Sequence, residues 1–327
     1  MIITKTPFRM SFFGGGTDIS DFFNEFSGAV ISTTFDKYCY VTVRNLPRFF
    51  NYRNQVTYSK IERFIEIDEL QHPMVREAMR FLDMHDLVIT YDADLPARTG
   101  LGTSSSFTVG LLNAFYALKG VYVGKQKLAD DAIFIERVLC DEAGGWQDQI
   151  AASYGGLNRI DFYDDKYKVS PIIIPNKRKM ELNNKLLLFF TGFSRLSSEI
   201  QVETQRHIKD KTKILIEMKE LVDEAEKLLV DANTNLDEFG RMLNYTWRLK
   251  RKTGNKISTD AIDLLYKKAI ESGAIGGKLL GAGGGGFLLF YVPEENQQDV
   301  KFALSDLLYV PFSFENSGSE IIYYSPE

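Results

Sequence analysis

Apolar and polar positions alternate along the first 95 residues in a way that predicts short strands and helices in turn. Residues 2–6 and 8–13 read as strands, the second closed by Gly14-Gly15-Gly16. Residues 18–26 read as a brief helix with Thr17 or Asp18 as its cap. The segments 29–43 and 55–67 are rich in β-branched and aromatic side chains and predict further strands. A helix over 74–85 follows His72-Pro73, and a strand over 87–91 leads to a turn rich in Gly, Thr and Ser. That turn runs into an apolar helix over 107–118. Helices over 127–139 and 147–154 come next, then strands over 156–162 and 167–174.

The polar stretch 175–184, with Lys177, Arg178 and Lys179 in its middle, is the best candidate for a domain boundary. Beyond it lie a strand over 186–191 and a long helical region over 197–252. In that region Leu215, Leu221, Leu228, Leu229 and Leu236 recur at helical spacing, as core positions do. A helix over 259–272, a glycine run, a strand over 287–292 and a helix over 297–308 follow. Two short strands, near Phe312 and over 321–324, close the chain. The layout predicts two α+β domains with a cleft between them.

Composition narrows the partners. A chain of 327 residues, 44% hydrophobic and 25% charged, suits a soluble globular protein of one large or two ordinary domains. Its net charge of −5 argues against nucleic acid, whose phosphates demand a basic surface. Cys39 and Cys140 make neither a disulfide framework nor a zinc spacing, which points to a reducing compartment. Met1-Ile2-Ile3-Thr4-Lys5 lacks the pattern of a signal peptide, and no apolar run approaches the roughly 20 residues of a membrane span. The expectation is a cytoplasmic protein with no membrane partner; oligomeric state is left open.

Candidate chemistry concentrates in residues 96–106, Pro-Ala-Arg-Thr-Gly-Leu-Gly-Thr-Ser-Ser-Ser, at the start of the apolar helix. Backbone N–H groups converge at such a helix start and, with the macrodipole, favour an anion. One cap needs one hydroxyl, whereas Thr103, Ser104, Ser105 and Ser106 stand in a row behind Gly100 and Gly102. Phosphate binding is therefore the expectation for Pro96, Gly100, Leu101, Gly102 and the four hydroxyl residues. A second glycine run, residues 281–286, formally matches Gly-x-Gly-x-x-Gly but feeds a strand rather than opening a helix, so a dinucleotide fold is excluded on context. No Walker A loop occurs. A hinge or bulge would use fewer glycines, so close backbone approach to a ligand is the better account.

Three carboxylates and one cation stand out. Asp148, in Gly144-Gly145-Trp146-Gln147-Asp148-Gln149, suits either a helix start or a chemical role. Glu136 has a solvated helix face as its plain reading, and Asp18 a cap. Arg9, inside the apolar strand Phe8-Arg9-Met10-Ser11-Phe12-Phe13, needs a partner. His72, His85 and His207 fall outside every glycine motif, so acid–base work falls to a carboxylate.

Together these pieces resemble the GHMP small-molecule kinases, named for galactokinase, homoserine kinase, mevalonate kinase and phosphomevalonate kinase. Three motifs appear in order: Thr6-Pro7-Phe8-Arg9 through Gly14-Gly15-Gly16-Thr17-Asp18, then residues 96–106, then Lys278-Leu279-Leu280-Gly281-Ala282-Gly283-Gly284-Gly285. Lys5-Thr6-Pro7-Phe8-Arg9, Gln71-His72-Pro73 and Gly145-Trp146-Gln147-Asp148-Gln149 resemble, within that family, the bacterial D-glycero-D-manno-heptose 7-phosphate kinases. The Gly-Glu-His-Thr-Asp segment of galactokinases is missing. The resemblance implies an N-terminal mixed α/β domain over 1–178 and a ferredoxin-like C-terminal domain over 179–327.

It also implies transfer of the ATP γ-phosphoryl group to the anomeric hydroxyl of a heptose 7-phosphate, for surface-glycan synthesis. Ser104 and Glu136 would be Mg²⁺ ligands, Asp148 the partner of the acceptor hydroxyl, and Arg9 the cation beside it. Gly15, Gly16, Thr17, Asp18, Gly283 and Gly284 would meet the sugar. Arg98 departs from the small residue usual in the phosphate loop, with solvent its expected surroundings; Thr103 replaces a serine and keeps the hydroxyl. Lys5, Lys37, Arg98, Arg159, Arg195 and Lys278 are unranked candidates for a substrate phosphate. A fucose or glucuronic acid kinase and a non-catalytic sugar sensor are the competing outcomes.

Overall fold

A computed structural model describes residues 1–97, 99–192, 208–254 and 256–326, with only the backbone given at 208–210. Arg98, Arg195, His207 and the start of the expected long helix lie outside these residues.

Pro7 has no N–H to give a ladder, yet it does not divide the first two expected strands. They form one strand, β1 (Ile2–Phe13), whose register against β2 (Gly28–Asn45) shifts between Pro7 and Phe8. The bulge absorbs the proline. Helix α1 (Ser20–Phe26) lies between these strands. Next come the hairpin β3 (Asn54–Thr57) and β4 (Ile61–Phe64), helix α2 (Pro73–Phe81) and strand β5 (Leu87–Ala93). Helix α3 (Thr103–Leu118) follows, then α4 (Lys125–Ile133), which continues into a π turn at Phe134–Leu139. Helix α5 (Gln147–Tyr154) and the hairpin β6 (Asn158–Tyr163) and β7 (Lys166–Pro171) come before α6 (Asn176–Asn184) and β8 (Leu186–Phe190). The chain continues through α7 (Ile208–Val230), α8 (Asp237–Arg251) and α9 (Asp260–Glu271) to β9 (Gly276–Leu279) and β10 (Phe287–Tyr291). Helix α10 (Gln297–Ala303) and the short strands β11 (Leu308–Tyr309), β12 (Phe314–Glu315) and β13 (Glu320–Tyr324) complete it.

Two sheets organise the described residues, as the α+β pattern predicts. The larger runs β13-β1-β2-β5-β3-β4, with β6 and β12 also on β2 and β7 on β6. Its pairings are antiparallel apart from β3 with β5. The smaller, antiparallel sheet runs β11-β8-β10-β9. Helix α3 is buried on nearly every side, as its unbroken apolar sequence requires, and packs on β1 and β2 with α2, α4 and α5 beside it. One apolar cluster runs through both sheets, joining Phe8, Phe12 and Phe13 of β1 to Leu188 of β8, Phe239 of α8 and Leu289 of β10.

Over its described residues, 208–252, the long helical region is two helices. Asp231 and Asn235 turn their side chains back on the N–H groups of Asn233 and Asp237, giving the backbone an alternative to the helix ladder. The leucines at 215, 221, 228, 229 and 236 are buried, as their spacing predicts. The polar stretch 175–184 forms α6 and is partly internal: Leu182 is buried, and so is Arg178. The Arg178 guanidinium donates to the carbonyls of Leu228 and Leu229 at 2.7 and 2.8 Å and to Thr234 at 3.0 Å. It thereby closes the C-terminal end of α7, where carbonyls lack helical partners. Arg178→Ala should cost about 3 kcal/mol in urea unfolding, from the loss of charge-assisted bonds to buried carbonyls. A loss below about 0.5 kcal/mol would remove that capping role. No helix among the described residues is long and apolar enough to cross a membrane.

Candidate active site

The start of α3 is held open by its own sequence. Gly102 is the N-cap, in the left-handed region at φ 73°, and contributes no side chain to the cap. The hydroxyls that follow are spent elsewhere: Ser105 donates to Glu136 Oε2 at 2.9 Å, and Ser106 to the Pro7 carbonyl at 2.9 Å. Ser104 is exposed, and Thr99 donates back to the Pro96 carbonyl at 2.9 Å. The first N–H groups of a long buried helix are thus left without a side-chain cap, the arrangement that suits a phosphate.

Arg9 finds its partner here. From β1 it donates through Nε to Asp148 Oδ1 at 2.7 Å, with Nη2 on the same oxygen at 2.7 Å. Its Nη1 holds the Gly100 carbonyl at 2.9 Å, and its backbone N–H holds that of Leu101. Asp148, in the first turn of α5, turns its other oxygen toward Gly102, where a β-carbon would sit 3.3 Å from Oδ2. The expected phosphate loop, the cation and the carboxylate are therefore one cluster.

Asp18 does not cap α1, which begins without a side-chain cap. Its carboxylate accepts the N–H of Gly16 at 2.9 Å and of Gln147 at 3.2 Å, pinning the first glycine loop to the start of α5. Burial lifts its pKa, and the neighbouring Asp148 adds to the rise. Thr17 does not reach the cleft as expected: it is fully buried and donates to the carbonyls of Gly14 and Ala29. Gly15 and Gly16 do line the cleft. Of the third motif, Gly281 and Ala282 line it, while Gly283 and Gly284 turn to Ile257, whose carbonyl takes the Gly284 N–H at 3.0 Å. The close approach made by this run is to the phosphate loop, because a β-carbon on Gly281 would fall 2.2 Å from Gly100 Cα.

Glu136 is not on a solvated face. The π turn sets it inside, 1% exposed, and besides Ser105 it accepts Gln149 Nε2 at 2.6 Å. Burial pushes its pKa up against the pull of Arg137. The hydroxyl beside it is that of Ser105, one position after the expected Ser104. Three basic side chains complete the cleft. Lys278, from β9, is 2% exposed and donates to the Phe12 carbonyl at 2.8 Å; burial and the charges of Lys250 and Arg9 hold its pKa well below the usual range. Arg137 donates to the carbonyls of Glu142, Ala143 and Gly145, bracing the turn before α5. Lys250, in the last turn of α8, donates to the Gly281 carbonyl.

Sequence reasoning missed Arg137 and Lys250. Lys250 sits in Arg248-Leu249-Lys250-Arg251-Lys252, which reads as ordinary solvated charge at a helix end. The available signal was phase: Leu243, Thr246 and Trp247 are buried, and Lys250 continues that stripe at helical spacing.

Comparison with known proteins gives a consistent result. Residues 71–156 match the GHMP kinases N terminal domain, and residues 218–310 the GHMP kinases C terminal model. D-glycero-alpha-D-manno-heptose 7-phosphate kinase of Campylobacter jejuni is 30% identical over 97% of both chains. A bifunctional fucokinase/GDP-fucose pyrophosphorylase of Arabidopsis thaliana is 28% identical over 64% of this chain and 20% of its own length. The crystal structure of a D-glycero-D-manno-heptose 1-phosphate kinase from Bacteroides thetaiotaomicron superposes with a TM-score of 0.81 at 25% identity, covering 99% of this chain and all of the other.

Proposed function

The chain belongs to the GHMP kinase family, and we propose that it transfers the γ-phosphoryl group of ATP to the anomeric hydroxyl of D-glycero-D-manno-heptose 7-phosphate. The observation that carries the chemistry is the Arg9–Asp148 pair set against Gly102, at the open N-terminus of α3. Phosphoryl transfer asks mainly for positioning and charge stabilisation. The N–H groups at the start of α3 receive the ATP phosphates. Arg9, bonded twice to Oδ1, leaves Asp148 Oδ2 to hold the acceptor hydroxyl and take its proton. An anomeric hydroxyl is more acidic than an ordinary alcohol, so a carboxylate suffices. Gly15 and Gly16 bring backbone close to the sugar.

Mg²⁺ fits the donors present. Glu136 Oε1 is buried with no hydrogen-bond partner among the described residues, and the α3 hydroxyls of Ser104 and Ser105 add hard oxygens. When bound, the ion neutralises phosphate charge.

A panel of sugars assayed by coupled ADP release tests the acceptor. Heptose 7-phosphate should exceed the unphosphorylated heptose, fucose and glucuronic acid in kcat/KM by about a hundredfold or more, since a site built for a charged group rejects analogues lacking it. A preference for fucose or another unphosphorylated sugar would replace the heptose phosphate assignment with that sugar. No turnover on any sugar would leave a non-catalytic sugar sensor.

A further inference from the structure

We propose that Lys250 is a second catalytic cation, reaching from α8 across the cleft to the non-bridging oxygens of the phosphoryl group in transit. The inference rests on the kinase reading above and adds a residue to it.

The nitrogens of the cleft cations can be followed one by one. Arg9 spends Nε and Nη2 on Asp148 and Nη1 on the Gly100 carbonyl. It is committed to the carboxylate and to the loop. Arg137 spends its donors on three carbonyls of the turn before α5 and on Glu136. Lys278 also lines the cleft, but it is 2% exposed and its ammonium rests on the Phe12 carbonyl of β1. Lys250 lines the cleft, and its bond to the Gly281 carbonyl uses one of three ammonium donors. A desolvated ammonium resting on a neutral carbonyl is costly unless an anion arrives to meet it.

Its position says which anion. Gly281 packs directly on Gly100, whose carbonyl anchors Arg9. Lys250 is thereby tied to the same few ångströms of backbone as the Arg9–Asp148 pair. The charged groups facing it come from four separate elements: Arg9 on β1, Asp18 in the first glycine loop, Asp148 on α5 and Lys278 on β9. Asp148 stands on the acceptor side, the start of α3 on the ATP side, and Lys250 closes the third. As the bond from the γ-phosphorus to the β-bridging oxygen breaks, ADP keeps the electron pair. The anomeric oxygen bonds to phosphorus, and its proton passes to Asp148. Charge on the three equatorial oxygens is what Lys250 meets, a role of the kind an added arginine serves in other phosphoryl transfers. Burial and the Arg9 charge lower the pKa of Lys250 to about 8, against the opposing pull of Asp18 and Asp148.

The test uses the full-length protein and whichever sugar of the panel it turns over, so a wrong acceptor leaves it intact. Lys250→Met should lower kcat by about a hundredfold or more, with KM for ATP and for the sugar within about threefold. Lys250→Arg should recover at least a tenth of wild-type kcat. Wild-type kcat/KM for ATP should fall as pH rises through about 8, because the ammonium loses its proton there, and that limb should be missing in Lys250→Arg. A Lys250→Met enzyme within threefold of wild-type kcat would overturn the proposal, as would a rise confined to KM for a phosphorylated acceptor. Should Lys250→Met not fold, an alkaline limb unchanged in Lys250→Arg overturns it equally.

Discussion

Asp148→Asn should lower kcat by about a thousandfold while KM for ATP stays within a fewfold of wild type, the scale of losing a positioned proton acceptor. The amide keeps the shape of the carboxylate and still offers Arg9 an oxygen at Oδ1, where both guanidinium bonds now end. It loses the negative charge that draws the acceptor's proton. On the proposed reading ATP is held from the other side, by the start of α3, so nucleotide binding has little reason to change. Steady-state kinetics with varied ATP and varied sugar, paired with a thermal melt, separate chemistry from stability. A variant within tenfold of wild-type kcat would remove Asp148 from the chemical step.

The largest structural effect is expected at Gly281. Its φ of +82° already disfavours a side chain, and a β-carbon there would sit 2.2 Å from Gly100 Cα and 2.8 Å from Gly100 O. Both obstacles are backbone of the phosphate loop, so the loop itself must move. Gly281→Ala should therefore cost about 4 kcal/mol or more and also raise KM for ATP about tenfold, since the anion cradle is displaced. Gly120→Ala is the control. It has φ +70° with nothing within 4 Å of the added carbon, and should cost only the conformational penalty of about 1 kcal/mol. Equal losses at the two sites would show that the contact between the second and third motifs carries no weight.

What could be read in advance was what lies contiguously in the chain. The glycine and serine motifs were legible because each is a local turn running into a regular element, α3 after Gly102 and β10 after Gly286. The need of Arg9 for a partner was equally legible from one polar residue in an apolar strand, although its partner lies 139 positions away and only tertiary packing supplies it. The return of β12 and β13 to the first sheet depends on the same long-range pairing. Thr17 shows the reverse failure. Its motif suggested the cleft, yet its hydroxyl serves the buried carbonyls of Gly14 and Ala29. The burial of Glu136 was hidden by the π turn, which breaks the helical phase that sequence periodicity assumes. Lys250 was hidden by composition, being one of several basic residues at a helix end and distinguished from them by its place on the buried stripe.

The apolar cluster shared by both sheets sets how substrates can enter. Phe8, Phe12 and Phe13 pack among residues of β8, α8 and β10, and the Phe12 carbonyl holds Lys278 from β9. Swinging the halves apart like jaws would strip that contact surface into water, so β1 acts as a bolt rather than a hinge pin. Traffic through the cleft then falls to short sliding of packed elements and to movement of its rim, a shear mode in which the reacting groups keep their spacing between turnovers.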